Sequence, residues 1–438
     1  MKLSEVRIEN KIEIQKKPEI QEIEKPNRRE HTLSFLAGCM VGEELYFSSW
    51  SDKGFYKMDV HTGISTFLGM FAQEKESTQL FERAIYYKNA IWMTPAVWGE
   101  HIVKVDLDTL EMTYLSLPES GREIFDKNGV HYTKFKCCYK ENASELWLVP
   151  IGFTALLKVD MESETVEEIH SLEQYIEFQE GFINFSDACF VGDEIWICPF
   201  ESDKLVVLDT IRLQFHISEW KNKGNDYRIV RNYQNWAVFV PLGARKNIRM
   251  IEKNTYQEKE IMVDATWEEE RSLMHLAVHI IDQTILFAPF FAHEFLSVDL
   301  ETGETQTDKS LHEYAQSMSW GPERYQTEIQ YGSKIIYLSD MPDVPMMVYD
   351  LEKNMVYYIE KILKQDSYHK FLMTLYENNK TGFIQQMGIQ ERRFFDETEF
   401  PFRLYFRILE ESKNGGETDR NDGKKEKGVG EKILSEIK

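Results

Sequence analysis

The chain has 438 residues, with 51 Lys and Arg against 74 Asp and Glu, for a formal net charge of −23. Hydrophobic residues make up 42% and aromatics 13%, enough to build a core, which excludes a wholly disordered chain. Residues 1–30 carry eight basic and seven acidic side chains and residues 411–438 seven of each, so the body between them holds −24 and repels phosphate backbones; no basic patch offsets this, and nucleic acid is not expected as a partner.

The N-terminal Met1-Lys2-Leu3-Ser4-Glu5-Val6-Arg7 is charged, with no apolar run behind it. No uncharged stretch reaches membrane-spanning length, so neither export nor membrane insertion is expected. Residues 1–30, with Pro18 and Pro26 among mixed charges, predict an extended arm. Alternation in Val6-Arg7-Ile8 and Ile12-Glu13-Ile14 allows that arm one strand on a sheet edge.

From residue 31 the chain repeats itself. Glu44-Leu45-Tyr46-Phe47-Ser48-Ser49 is matched by Ile91-Trp92-Met93-Thr94-Pro95, Leu146-Trp147-Leu148-Val149-Pro150 and Ile195-Trp196-Ile197-Cys198-Pro199. Ala237-Val238-Phe239-Val240-Pro241, Ile285-Leu286-Phe287-Ala288-Pro289 and Ile336-Tyr337-Leu338-Ser339-Asp340 complete the set, at intervals of 42–55 residues. Ten or eleven residues after each copy comes a carboxylate: Asp59, Asp106, Asp160, Asp209, Glu252, Asp299 and Asp350. Two of these open full D-x-x-T-G turns, Asp59 to Gly63 and Asp299 to Gly303. An Asp that binds its own backbone, with a Gly free to take positive φ, is what a tight hairpin needs.

Each repeat holds four short apolar or alternating runs. In the fourth they are Phe185–Val191, Glu194–Pro199, Lys204–Asp209 and Gln214–Trp220. Four antiparallel strands recurring every 40–50 residues or so are the signature of a propeller blade, because one such sheet cannot bury both faces alone. The sequence therefore predicts an all-β, seven-bladed β-propeller of four-stranded antiparallel blades over residues 31–362, with short N- and C-terminal extensions. The first and last blades each look complete, so ring closure by strand exchange is not evident. Residues 363–410 predict a short helix over 367–377, with Phe371, Leu372 and Leu375 on one side, and a strand at Phe402–Ile408. The strand or the arm could cover an exposed blade edge. From residue 411 the charged, Gly-rich tail is expected to be disordered.

The I-W-x-x-P and I-x-K-V-D-x-x-T pattern resembles the propeller repeats grouped as YVTN, NHL and streptogramin-lyase-like, over about four-fifths of the chain. Kelch doublets and WD40 Trp-Asp ends are absent. Lyases of that group are expected to open a cyclic ester with top-face His and Glu residues and Mg²⁺, and their blade motif ends in W-F-T-E. Here the Glu is replaced by Pro, Ser or Asp in every copy.

In a propeller, the loops after the second strands and the starts of the inner strands share one rim. The loops carry Trp50, Trp98, Phe153, Phe200, Phe290 and Phe291, either as a recognition surface or as rings packed on neighbouring blades. Glu82, Arg83, Lys134, Asp187, Arg228 and His275 are placed to line the channel, either as a ligand or metal site or as a self-neutralising hydrated set. His275 and His279 lie about 13 Å apart along one strand, too far to share a metal, whereas His275 and His293 meet on one rim. Five Cys lack CxxC spacing; Cys39, Cys137, Cys189 and Cys198 read as small core residues on strands, and the chain as cytoplasmic and reduced.

Two functions follow. One is a monomeric, non-enzymatic propeller, without a cofactor, that binds a protein, peptide or small-molecule ligand on its aromatic face. The alternative is a lyase or lactonase-like hydrolase dependent on a divalent metal, using His275, His293, Glu82 and Asp187.

Overall fold

A computed structural model describes residues 19–21, 31–50, 52–75, 78–125, 131–177, 183–220, 227–241, 247–263, 275–290, 292, 294–308, 313, 325–341, 344–364, 366–368, 370–371 and 374. Seven sheets form seven blades, each a run of four consecutive antiparallel strands. The inner strands are Phe35–Val41, Phe81–Tyr87, Phe135–Tyr139, Phe185–Val191, Tyr227–Tyr233, His275–Ile281 and Tyr325–Tyr331. The repeat quoted from the sequence is the second strand of each blade, and the fourth blade's strands fall on the predicted runs to within one residue.

The second strand is buried on both faces, which is why it reads as an unbroken apolar run rather than an alternating one. Its Trp fills the gap to a neighbouring blade. Trp92 packs with Phe135 and Leu148 of the third blade, Trp147 with Phe185 of the fourth, and Trp196 with Tyr227 and Phe239 of the fifth. Burying one such ring is worth roughly 4 kcal/mol. These side chains therefore hold blade to blade, not strand to strand.

The recurring carboxylate starts the hairpin between the third and fourth strands. Asp59 Oδ1 accepts the backbone N–H of His61 (2.8 Å) and Thr62 (2.9 Å), and Asp106 accepts those of Asp108 and Thr109 in the same way. Glu252 reaches Asn254 and Thr255 with its longer side chain, so it serves in place of Asp. Four residues after each carboxylate the backbone takes positive φ, at Gly63, Leu110, Glu164, Leu213, Tyr256, Gly303 and Asn354. Five of the seven copies thus put a non-glycine residue in the left-handed region, at about 1 kcal/mol each. The turn geometry is common to all seven, whereas the D-x-x-T-G motif is not.

Both ends of the ring carry extra strands. Glu19–Gln21 runs parallel to Met355–Tyr357 on the outer edge of the seventh blade. Ile362–Leu363 runs parallel to Ile64–Ser65 on the outer edge of the first, and His31–Thr32 pairs outside it. The chain entering the ring covers the last blade, and the chain leaving it covers the first. The arm's strand is at Glu19–Gln21; the alternating runs at Val6–Ile8 and Ile12–Ile14 lie outside the described residues. Beyond the ring, residues 366–368, 370–371 and 374 are helical, and Phe371 is buried against Phe67 (5.5 Å) and Tyr56 (6.4 Å). Leu372, Leu375, Phe402–Ile408 and the tail from 411 lie outside the described residues.

All five cysteines are free thiols, and burial pushes those of Cys137, Cys138, Cys189 and Cys198 well up and that of Cys39 to about 12. They behave as core residues, not as nucleophiles. Among the described residues no helix is long and apolar enough to cross a membrane.

Candidate functional site: the channel and its mouth

The loops after the second strands do share a rim with the inner-strand starts. Trp50 donates its backbone N–H to Ser34 O (3.2 Å), Ala96 to Leu80 O (2.8 Å), Ile151 to Lys134 O (2.9 Å) and Phe200 to Asn184 O (2.8 Å). In six blades the inner strand shifts register within its first few residues, a bulge that re-aims side chains at the channel mouth.

Three of the rim aromatics keep an open face: Trp50, Trp98 and Phe200 are half-buried. Phe153 and Phe290 are buried, and Phe153 packs on Phe135 at 5.0 Å. Phe291 and His293 lie outside the described residues. His275 is described as strand, paired with Pro289, and nothing follows about its side chain.

The segment between the second and third blades, residues 117–134, adds groups to this rim that the repeat did not point to. His131 lies 4.3 Å from the Trp98 ring and 4.6 Å from Phe125, which is 38% exposed. Glu123 accepts from Lys134 (3.0 Å) and faces His131 Nδ1 (3.0 Å). Trp98, His131 and Phe125 form an aromatic ladder with an ion pair beside it. A sequence signal existed: the interval from Pro95 to Pro150, 55 residues, is the longest between repeats.

Deeper in the channel the charges are matched. Asp187 meets Arg231 at 2.7 Å and also accepts the backbone N–H of Val230 (3.1 Å) on the next blade. Arg231 meets Glu328 of the seventh blade at 3.1 Å and donates to Val278 O of the sixth at 2.9 Å. One guanidinium therefore joins four blades. Glu82 meets Lys136 (2.8 Å) and accepts Cys137 N–H (3.2 Å), linking blades two and three. Burial raises the Glu328 carboxyl, with Arg231 opposing. Burial also works against the Arg231 cation, but Asp187 and Glu328 outweigh it and hold its pKa above the usual range. His279 is pulled down to about 4 by burial and by the Arg231 charge, so it is neutral at physiological pH.

Three channel candidates remain. Lys134 is buried and spends its ammonium on Val97 O (2.9 Å) and Glu123. Arg228 is half-buried and lies over the Phe200 ring at 5.7 Å. Arg83 is exposed, and its charge reaches Cys39, Cys137 and Glu328 on blades one, three and seven.

No family model matches the sequence, and no curated protein matches it. Among solved structures the chain is similar to virginiamycin B lyase from Staphylococcus aureus, with 10% identity, TM-score 0.49, and coverage of 74% of this chain and 96% of that one. It is also similar to BamB from Moraxella catarrhalis (8% identity, TM-score 0.45, 74% and 84% covered). A third likeness is to the Pan2 WD40 domain of Neurospora crassa (8% identity, TM-score 0.46, 71% and 86% covered). The seven four-stranded sheets are the fold that the blade motif's resemblance to streptogramin-lyase-like propellers implies. At such identities it transfers no chemistry.

The Mg²⁺ that such lyases use can be tested against the residues present. Glu82 and Asp187 do not suit it, since each is already held by a cation and by a neighbouring blade's backbone N–H. Among the described residues no three His, Cys, Asp or Glu side chains converge to hold a metal ion.

Proposed function

We propose that this protein is a non-enzymatic recognition propeller that receives a protein, peptide or small-molecule ligand at the channel mouth. The observation that carries this reading is the division of labour along the channel. Its inner carboxylates are engaged in joining blades, while the mouth presents half-open rings: Trp98 laddered with His131 and Phe125, with Trp50 and Phe200 beyond. Aromatic anchors beside a polar rim are where binding energy concentrates at interfaces. A general acid or base needs a carboxylate or imidazole free to exchange a proton with substrate. Glu82 and Asp187 are bound to cations instead, which weighs against the metal-dependent lyase or hydrolase reading built on them with His275 and His293.

The test is ligand capture by the full chain, with Trp98→Ala and Phe125→Ala compared against Glu82→Gln. Losing a hot-spot aromatic should weaken capture by about 30-fold or more, since such truncations cost 2 kcal/mol or above. Glu82→Gln should leave capture intact. Capture that survives both aromatic truncations would refute the reading, as would turnover of a lactone or cyclic ester that depends on Glu82.

A further inference from the structure

Arg228 breaks a rule that the other interior cations obey. Arg231 is answered by Asp187 and Glu328, Lys134 by Glu123 and Val97 O, Arg249 by Glu258, and Lys361 by Met341 O. Arg228 stands three residues before Arg231 on the same strand. Among the described residues it makes no ion pair and its side chain donates no hydrogen bond; its partner is the face of Phe200. Burial pulls its pKa down, and the more distant charge of Asp187 only partly opposes this.

A guanidinium carries five N–H donors in a planar fork, and removing it from water without a counter-charge is expensive. Its strandmate shows that neighbouring blades can supply a counter-charge to a cation on this strand, so the lack of one at Arg228 is local. Arg228 also sits at the mouth, on the blade next to Phe200, where a ligand arrives. Arg83, exposed on the second blade, adds a cation that likewise has no ion pair among the described residues. Each of the deeper carboxylates Glu82, Asp187 and Glu328 is held by Lys136 or Arg231, and none of them forms an ion pair with Arg228.

We propose that Arg228 is the receptor for the anionic group, carboxylate or phosphate, of a small ligand bound at the channel mouth, with Phe200 fixing the plane of the guanidinium. The fork suits a two-oxygen anion, and the aromatic ring holds it flat for bidentate contact. This rests on the recognition reading only in taking the mouth as the ligand's site. The site is selective by charge: the −23 of the chain turns anions away elsewhere and leaves this point to receive them.

The experiment is calorimetric titration of the purified full chain with phenyl phosphate, benzoate and neutral benzamide at low ionic strength. One or both anions should bind at one site, weaken with added salt, and lose about 10- to 100-fold in affinity in Arg228→Met, the span expected for a charge-assisted hydrogen-bonded pair. Arg228→Lys should retain part of the affinity, and benzamide should not bind. The melting temperature without anion supplies an independent readout. A ligand-receiving arginine left unpaired should be replaceable by Met with no loss, or with a gain, in melting temperature. A fall of several degrees in Arg228→Met, anion affinity that survives that substitution, or the failure of both anions to bind would each overturn the proposal. No partner enters the titration, so its failure would leave the Trp98 capture result standing, and the reverse also holds.

Discussion

Arg231 is the side chain whose loss the ring should feel most, and the size of the effect can be worked out. Its guanidinium lies 2.7 Å from Asp187 and 3.1 Å from Glu328, and it donates to Val278 O and Val230 O at 2.9 Å each. Arg231→Met keeps most of the stem but leaves two carboxylates facing one another without a cation. Breaking a buried pair by removing one partner costs about 3–5 kcal/mol. The Arg231 side chain is still 26% exposed to the channel, so water recovers part of this, and the low end, about 3 kcal/mol, is the expected loss. The assay is urea unfolding of wild type, Arg231→Met, Glu328→Gln and the double variant. Glu328→Gln removes one of the two orphaned charges, so the double variant should be more stable than the sum of the singles predicts by about 1–2 kcal/mol. A single-variant loss below about 1 kcal/mol, or strict additivity, would refute the view that this residue joins four blades.

Gly63 has φ +70°, and a Cβ there would stand 1.8 Å from Glu360 O. Gly63→Ala should therefore displace the Ile362–Leu363 strand and lower stability by more than the usual glycine effect of about 1 kcal/mol. Faster exchange of the amides at 362–364 than in wild type would show this, and unchanged exchange would refute it. His279 supplies a pH test. Its folded pKa, about 4 against an ordinary 6.5, means the proton prefers the unfolded chain. Its contribution to stability is full above pH 6.5 and declines as pH falls toward 4, by on the order of 1–3 kcal/mol. Glu328, raised by burial, works in the opposite sense over the acid range, so the informative quantity is the difference between wild type and His279→Gln. The melting-temperature gap should move in favour of His279→Gln between pH 7.5 and 5.0, and parallel curves would sink the assignment.

The blade number, the second strands and the hairpin carboxylates were legible because each repeats seven times, and the same physical demand produces the same residue. The channel network was half legible. Glu82 and Asp187 stand at inner-strand starts and could be found by alignment, but their partners are Lys136 and Arg231, not Lys134 and Arg228. For Arg231 the register shift at its strand's start is the reason; the third blade's inner strand has no such shift, and Lys136 lies two residues further along than Lys134. A bulge changes which residue faces the channel, and alternation counted from the sequence misses it. The Trp98–His131–Phe125 ladder was missed because it belongs to an insertion between blades, where the repeat gives no register.

The docking of the two terminal strands follows from which outer edges are charged. The outermost strands of blades three to six carry Glu167 and Glu168, Glu219, Glu258 with Lys259 and Glu260, and Asp308. Such charges discourage pairing with another strand. The outermost strands of blade one, Ile64–Met70, and blade seven, Met355–Ile359, hold no charged residue, and these two edges receive the extra strands. Blade two is the informative exception. Met112–Ser116 also lacks a charge and, among the described residues, gains no strand; Met112 packs toward Gly69 of the first blade. The two added strands thus lie on neighbouring blades, seven and one. The inner strands of those blades pass from residue 41 back to 325 with no covalent link, so the terminal strands and Lys361, whose ammonium donates to Met341 O of blade seven and lies 5.2 Å over Phe35 of blade one, take the place that strand exchange fills in other rings.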